Sequence, residues 1–328
     1  MAENPKSAQE NTSFFRDVFK ERWRSYRSQL KSCQSDPTEE AVHDLRVATR
    51  RLLALIDLFR SITPHPRLPK LRRMLKDQLD DLDDLRDTQV MLVGVSNLLA
   101  DCPEIEPFQK YLYKREIRLL RSASKSIKSF NYSGFRKAME TVPKKVLGET
   151  DAVLNSLSLQ VLDERYEAIM RRRQRVDPSN PRTIHRMRIA LKKFRYTVEI
   201  VHALVPNFPE ENFKTMHAYQ DMMGNIQDAE VLLSVFEDFA EGDGPYNPEP
   251  VLRCIHQRHK ESIEAFMKDI GQLDSFWRPA PESPFPWEIK QKRKKGALKK
   301  KVTGKPSAQE KDENGVQVEA GKDAGAGR

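Results

Sequence analysis

A nine-residue pattern that occurs twice constrains this chain more than any other feature. His43-Asp-Leu-Arg46-Val-Ala-Thr-Arg50-Arg51 returns as His185-Arg-Met-Arg188-Ile-Ala-Leu-Lys192-Lys193 at an offset of 142, with three positions identical and four more alike in chemistry. A second pair lies downstream, Leu85-Arg-Asp87-Thr-Gln-Val90-Met-Leu92 against Ile226-Gln-Asp228-Ala-Glu-Val231-Leu-Leu233, at an offset of 141. Asp36-Pro37 precedes the first motif as Asn180-Pro181 precedes the second. Offsets this close point to a duplicated helical unit, one copy in each half.

The apolar residues recur at three and four positions, as in Phe14, Phe15, Val18, Phe19, Trp23, Tyr26 and Leu30. That spacing predicts an amphipathic helix from Ser13. Asp36-Pro37-Thr38-Glu39 reads as an N-cap, a proline at the first helical position and a capping-box acid, opening a helix to about Ile62 that Pro64 ends. Further helices are expected over 68–85 and 86–99, separate or as one broken helix, and from Pro103 to Phe130, with shorter pieces over 131–149. The second set covers 151–176, 182–204, 209–224, 226–241 and 249–273, with a loop at Gly242-Asp243-Gly244-Pro245. No segment alternates as a strand would. The expectation is an all-α chain of two four-helix bundles, over 13–149 and 150–278. A disordered N-terminus is expected over 1–12, and a disordered Pro/Lys-rich tail over 279–328.

Net charge is +9. The tail from Pro279 holds 12 Lys and Arg against 7 Asp and Glu, so the body is nearly balanced and the placement of charge matters more than its sum. Three cysteines, Cys33, Cys102 and Cys254, are spread widely and form no CxxC, which suggests a reducing compartment with neither a disulfide framework nor a zinc module. The N-terminus lacks the apolar core of a signal peptide, and Val90–Ala100 is too short to span a bilayer. A soluble cytoplasmic protein with no membrane partner is the expectation.

On a helix His43, Arg46 and Arg50 fall within about 60° of one another, with Arg51 at the flank. In the second half His185, Arg188, Lys192 and Arg195 make the same stripe, flanked by Lys193 and Arg182. Stacked like charges cost roughly 0.2–0.5 kcal/mol per pair, which neighbouring acids or a bound polyanion would offset. Arginine forks suit phosphate. One basic helical face is compatible with ordinary solvated surface; the same face repeated with its histidine in register points to an anion site.

These motifs resemble the CHAD family, the conserved histidine α-helical domain, through the H-x-x-R-x-x-x-[RK]-[RK] helix in both halves, the L-x-D-x-x-V-x-L segment and the Lys192-Lys193-Phe-Arg195-Tyr196 run. The resemblance covers about residues 13–273. It implies two four-helix bundles related by a pseudo-twofold, with a basic groove or pore between them. The groove would bind inorganic polyphosphate, at polyphosphate granules and without a cofactor. His43, Arg46, Arg50 and Arg51 carry over to the first motif, and His185, Arg188, Lys192, Lys193 and Arg195 to the second. Leu53 stands where the second motif has Arg195, so the halves need not contribute equally. Helical spacing adds Lys20, Arg24 and Arg27, then Arg72 and Lys76, and in the second half Arg172 and Lys214. Many family members are fused to a triphosphate-tunnel domain with an E-x-E-x-K signature; this sequence has none, and reads as a stand-alone binding module. The motifs set no oligomeric state.

Other groupings carry less. Asp80, Asp81, Asp83, Asp84 and Asp87 could hold a metal, but capping and pairing with basic helices suits them better. His256-x-x-His259 has no partner ligand motif. No Walker A loop, G-x-S-x-G or H-E-x-x-H occurs. Nucleic acid is the alternative partner, disfavoured because the basic stripes lack interleaved aromatics. A phosphate-polymer-processing enzyme is the other alternative, and would need carboxylates facing the groove.

Overall fold

The computed structural model describes residues 5–142, 151–242 and 246–289. Ten α-helices are described: α1 Pro5–Ser35, α2 Glu39–Ile62, α3 Arg67–Asp80, α4 Asp83–Leu98, α5 Glu106–Ser129, α6 Tyr132–Glu140, α7 Asp151–Arg173, α8 Pro181–Val201, α9 Glu211–Ala240 and α10 Glu249–Asp269. The described residues contain no strand, and the fold is all-α.

Local chemistry sets most boundaries. Thr38, rather than Asp36, caps α2, its side chain accepting from the Ala41 amide at 3.2 Å. Pro181 opens α8, while Thr183 Oγ accepts from the Asp177 amide and donates to the Asn180 carbonyl. Helix α1 begins at Pro5, before the expected start at Ser13, so residues 5–12 belong to a helix and not to a disordered arm. The expected pieces at 143–149 and the loop at 243–245 lie outside the described residues.

The two halves differ at one place that matters below. In the first half α3 and α4 are separate helices, broken at Asp81-Leu82 rather than after Leu85. In the second half the two expected helices are one continuous 30-residue helix, α9. At 1.5 Å per residue α9 is about 45 Å long. Gly224 does not end it, because a lone glycine weakens a helix without forbidding it.

Apolar side chains from both halves share two cores. The larger joins Phe15, Trp23, Tyr26, Leu52, Ile56 and Leu71 to Tyr166, Phe194, Val198, Tyr219 and Phe266. The smaller joins Leu92, Val95, Phe108 and Leu112 to Leu232, Phe236, Val251 and Ile255. Phe108 and Phe236 meet edge to face at 5.1 Å, a geometry that aromatic quadrupoles favour. The residues up to Trp287 form one compact unit; of the unit that follows, only Glu288 and Ile289 are described.

The segment 279–287 departs from its disordered expectation. Phe285 and Trp287 are buried and stacked at 4.6 Å, and Trp277 packs on both. Trp287 Nε1 donates to the Pro206 carbonyl, and Arg278 clamps Asp163 through two bonds of 2.9 and 2.6 Å. Three apolar rings are enough to dock this proline-rich strap. Residues 290–328 lie outside the described residues. Folding also brings Cys102 and Cys254, widely separated in sequence, close enough for the two thiols to interact, and burial first, then Cys254, pushes Cys102 up to about 12. No helix among the described residues is long and apolar enough to cross a membrane.

Candidate functional site

Helix α2 packs against α8, α7 packs against both and α1 against α2, so the helices that carry the two basic motifs come together. The meeting point is Lys192. Its ammonium is pushed down to about 7, first by burial and then by repulsion from Arg50, Arg188 and Arg46, with Asp83 opposing. Two of those arginines come from α2 and one from α8. Four cations from both halves therefore share one partly dehydrated space, where charge interactions are stronger than in bulk water.

The two motif arginines are held in different ways. Arg46 is only 2% exposed. Its guanidinium donates to the Leu79 carbonyl at 3.1 Å and to Asp83 at 2.7 Å. It thus stitches the end of α3 to the start of α4, across the break. Burial and Arg50 push its pKa down while Asp83 and Asp87 oppose. At an offset of 141 the residue matching Asp83 is Gly224. Here α9 is continuous, and the Arg188 guanidinium lies over the glycine: an added Cβ would meet its Nη2 at 3.6 Å. Arg188 Nε is buried with no hydrogen-bond partner. Arg46 is thus spent on the fold, whereas Arg188 retains a donor.

Carboxylates surround the cluster without cancelling it. Burial pushes Asp87 up, Asp83 adds to that, and Arg46 opposes. Burial also pushes Asp228 up, with Arg188 opposing and Asp87 adding. The two repeat-equivalent aspartates therefore feel one another across α4 and α9. Their neighbours are arginines, in keeping with an orienting role.

His185 is half-buried. Burial and Arg188 push its pKa down, while Gln227 and Glu230 oppose. Its Nδ1 is buried without a partner. It lines an open concavity of about 490 Å³ with Arg182, Arg186 and Gln227. His43 is exposed, and none of the interactions that define the cluster involves it.

Arg195 is a correction to the expected stripe. It is 8% exposed and points into the core, donating to Gln220 at 3.0 Å and Glu199 at 2.5 Å and covering Tyr196. The matching glutamine of the first half, Gln78, instead accepts from Tyr26 and Thr49. Leu53 and Arg195 thus reflect two ways of satisfying one buried amide oxygen. Arg51 and Lys193 are exposed. Sequence reasoning missed Arg22 and Arg165, which belong to repeated Glu-Arg-aromatic triplets, Glu21-Arg22-Trp23 and Glu164-Arg165-Tyr166. Burial lowers both; Arg51 also lowers Arg22, and Glu199 supports its charge from the other half. Asp57 does the same for Arg165. Arg165 also donates to the Lys193 carbonyl at 3.4 Å and to Thr197 Oγ1, which ties α7 to α8, whereas Arg22 Nε is buried without a hydrogen-bond partner.

The residues added from helical spacing are mostly occupied elsewhere. Lys20 pairs with Asp17, Lys76 with Asp80 and Lys214 with Glu211, all as exposed near-neighbour pairs. Arg72 bonds Asp57 at 2.8 Å, and Arg27 covers Trp23. Arg24 is exposed. Arg172 donates to the Ala168 carbonyl and lines an arginine-rich pocket described below. Among the described residues no three His, Cys, Asp or Glu side chains gather to hold a metal.

A family model for the CHAD domain matches residues 17–237. The chain belongs to the CHAD domain family. Among solved structures, the CHAD domain from the plant Ricinus communis superposes with a TM-score of 0.56 at 17% identity, over 82% of this chain and 89% of that one. PptA from Streptomyces chartreusis gives a TM-score of 0.56 at 15% identity, over 81% of this chain and 98% of its own. At such identities the likeness speaks for the fold. A search of curated proteins returned no match. In this CHAD chain the basic helices thus serve two ends: Arg46 and Arg195 tie helices together, while Arg50, Arg188, Lys192 and His185 form the underneutralised remainder.

Proposed function

We propose that this chain is a non-catalytic binder of inorganic polyphosphate, acting in the cytoplasm at polyphosphate granules. The site is the cationic cluster of Arg50, Arg188 and Lys192, with Arg51, Lys193, His185 and His43 along its approaches and Arg46 holding it in place. One observation carries the reading: a lysine pushed down to about 7 among three arginines drawn from both halves. A protein that holds cations together in a partly dry site spends stability to do so, and a multivalent anion recovers it. The orphaned donor Arg188 Nε, and the unpartnered His185 Nδ1 when it carries a proton, fit acceptor oxygens that a phosphate chain would supply. The mirrored charge support of Arg22 by Glu199 and of Arg165 by Asp57, each from the other half, supports a duplicated unit with a pseudo-twofold through the cluster.

A binding rather than catalytic role is supported by the state of the carboxylates. Asp83 is bonded to Arg46, while Asp87 and Asp228 lie beside arginines and are pushed up by burial. The test is titration with long-chain polyphosphate against the double charge reversal R50E/K192E. Arg46 is the wrong residue for this purpose, because its loss would unstitch α3 from α4. Binding should be tight for the native chain and at least about a hundredfold weaker in the variant, with weak binding of single phosphate and nucleotides. Equal affinity for a short nucleotide, DNA outcompeting polyphosphate per charge at fixed salt, or phosphate release with added magnesium or manganese would each overturn the proposal.

A further inference from the structure

At the C-terminal end of α7 lies a second concentration of positive charge, built from residues other than those of the Lys192 cluster. Arg171, Arg172 and Arg175 on the last turn of α7 and beyond it, with Arg186 from α8, surround a concavity of about 380 Å³ that Thr183 completes. Helix C-termini attract one or two basic side chains because their carbonyls carry partial negative charge. That explains Arg172, whose Nη1 takes the Ala168 carbonyl at 2.8 Å. A nearby acid explains Arg171, which pairs with Glu167 at 2.5 Å on the exposed surface. Neither explanation reaches Arg175 or Arg186. Arg186 belongs to the second turn of a different helix, and no ion pair among the described residues involves either side chain.

The first half shows that the fold does not require these arginines. Aligned on the Glu-Arg-aromatic triplets, Arg171, Arg172 and Arg175 correspond to Ser28, Gln29 and Ser32; aligned on the basic motif, Arg186 corresponds to Asp44. Matching positions that pack the same way in the core, Trp23 with Tyr166 and Tyr26 with Ile169, are buried in both halves. The scaffold is shared, and the four guanidiniums are an addition confined to one copy. Four forks around one hollow, with a single carboxylate among them, suit a compact anion with many equivalent oxygens.

We propose that Arg171, Arg172, Arg175 and Arg186 form a separate pocket for a short condensed phosphate, such as tripolyphosphate or the end segment of a longer chain. The choice of condensed phosphate rests on the function proposed above; the geometry of the pocket does not. Arg186 also borders the His185 concavity, which Arg182 and Glu230 line as well, so a long chain gripped at the Lys192 cluster has a route outward of net positive charge along the second half. Polyphosphate would then lie on the protein with a fixed polarity of attachment despite the doubled fold.

The experiment is calorimetric titration of sodium tripolyphosphate into the full chain and two variants, R175E/R186E and R50E/K192E, with circular dichroism and melting to confirm folding. All four arginines are at the surface or half-buried, so the pocket variant should fold. Tripolyphosphate should bind the native chain and R50E/K192E alike, and at least about tenfold more weakly to R175E/R186E. Absent binding to the native chain, unchanged binding to R175E/R186E, or loss of short-ligand binding in R50E/K192E would each overturn the pocket. Long-chain polyphosphate binding weakened at least about tenfold more by R50E/K192E than by R175E/R186E separates the two sites. If the native chain binds no long-chain polyphosphate, the central reading fails, while tripolyphosphate binding still decides the pocket.

Discussion

Replacing Lys192 with methionine should stabilise the protein and remove a pH dependence. Lysine in an unfolded chain titrates near 10.5, while in the folded protein Lys192 is pushed down to about 7 by burial and by Arg50, Arg188 and Arg46. The unfolded state therefore binds more protons between these values, and linkage makes stability rise with pH across that window. Below pH 7 the side chain is charged in both states and the folded protein bears the full penalty; near pH 10.5 it is neutral in the folded state and the penalty is gone. At 1.36 kcal/mol per pH unit the ceiling is about 4–5 kcal/mol. Solvent screening and relaxation of the half-buried side chain should reduce the measurable part to about 1–2 kcal/mol. Methionine keeps the length of the stem and removes the charge, so K192M should be more stable than the native chain at pH 6.5, with the difference shrinking by pH 9.5. Urea unfolding at both values, at constant ionic strength, reads this directly. The same lysine should take up protons when polyphosphate binds near pH 7, because an anion favours its charged form. Titrations in buffers of different ionisation enthalpy would show that uptake in the native chain and not in K192M. A less stable K192M at pH 6.5, or a difference between the two chains that stays constant with pH, would refute the account of a strained cationic cluster.

Two further perturbations separate the paired arginines. R46M leaves Asp83 without its donor and the Leu79 carbonyl with the Leu82 amide alone, and should lower stability by about 1–3 kcal/mol, whereas R188M, over Gly224, should cost under about 1 kcal/mol; equal costs in urea unfolding would show that the α3–α4 stitch does not matter. G224D recreates beside Arg188 the carboxylate that Asp83 presents to Arg46, and should keep the helical circular dichroism signal while weakening polyphosphate binding at least about tenfold in a titration. Unchanged affinity would remove Arg188 from the site.

How much of this was legible in the sequence follows from the range of the forces involved. Helix formation and the apolar stripe depend on neighbours three and four residues away, so the all-α class and most helix positions, from the proline before α2 to the end of α10, follow from the chain alone. The doubled motif announced a family and placed Arg50, Arg188 and Lys192 on cationic faces. Sequence spacing treated Arg46 and Arg188 as twins, however, and Arg195 as one more member of the stripe. Only the packed structure parts them, because the fate of a guanidinium depends on what lies across from it. Arg46 faces the Leu79 carbonyl and Asp83 at a helix break, Arg188 faces glycine on an unbroken helix, and Arg195 faces Gln220 in the core. The same holds for Phe285 and Trp287, whose proline-rich surroundings read as disorder until Trp277 is beside them. Periodicity is a property of one helix, whereas desolvation and charge pairing are properties of the contacts between helices, and those exist only once the chain has folded.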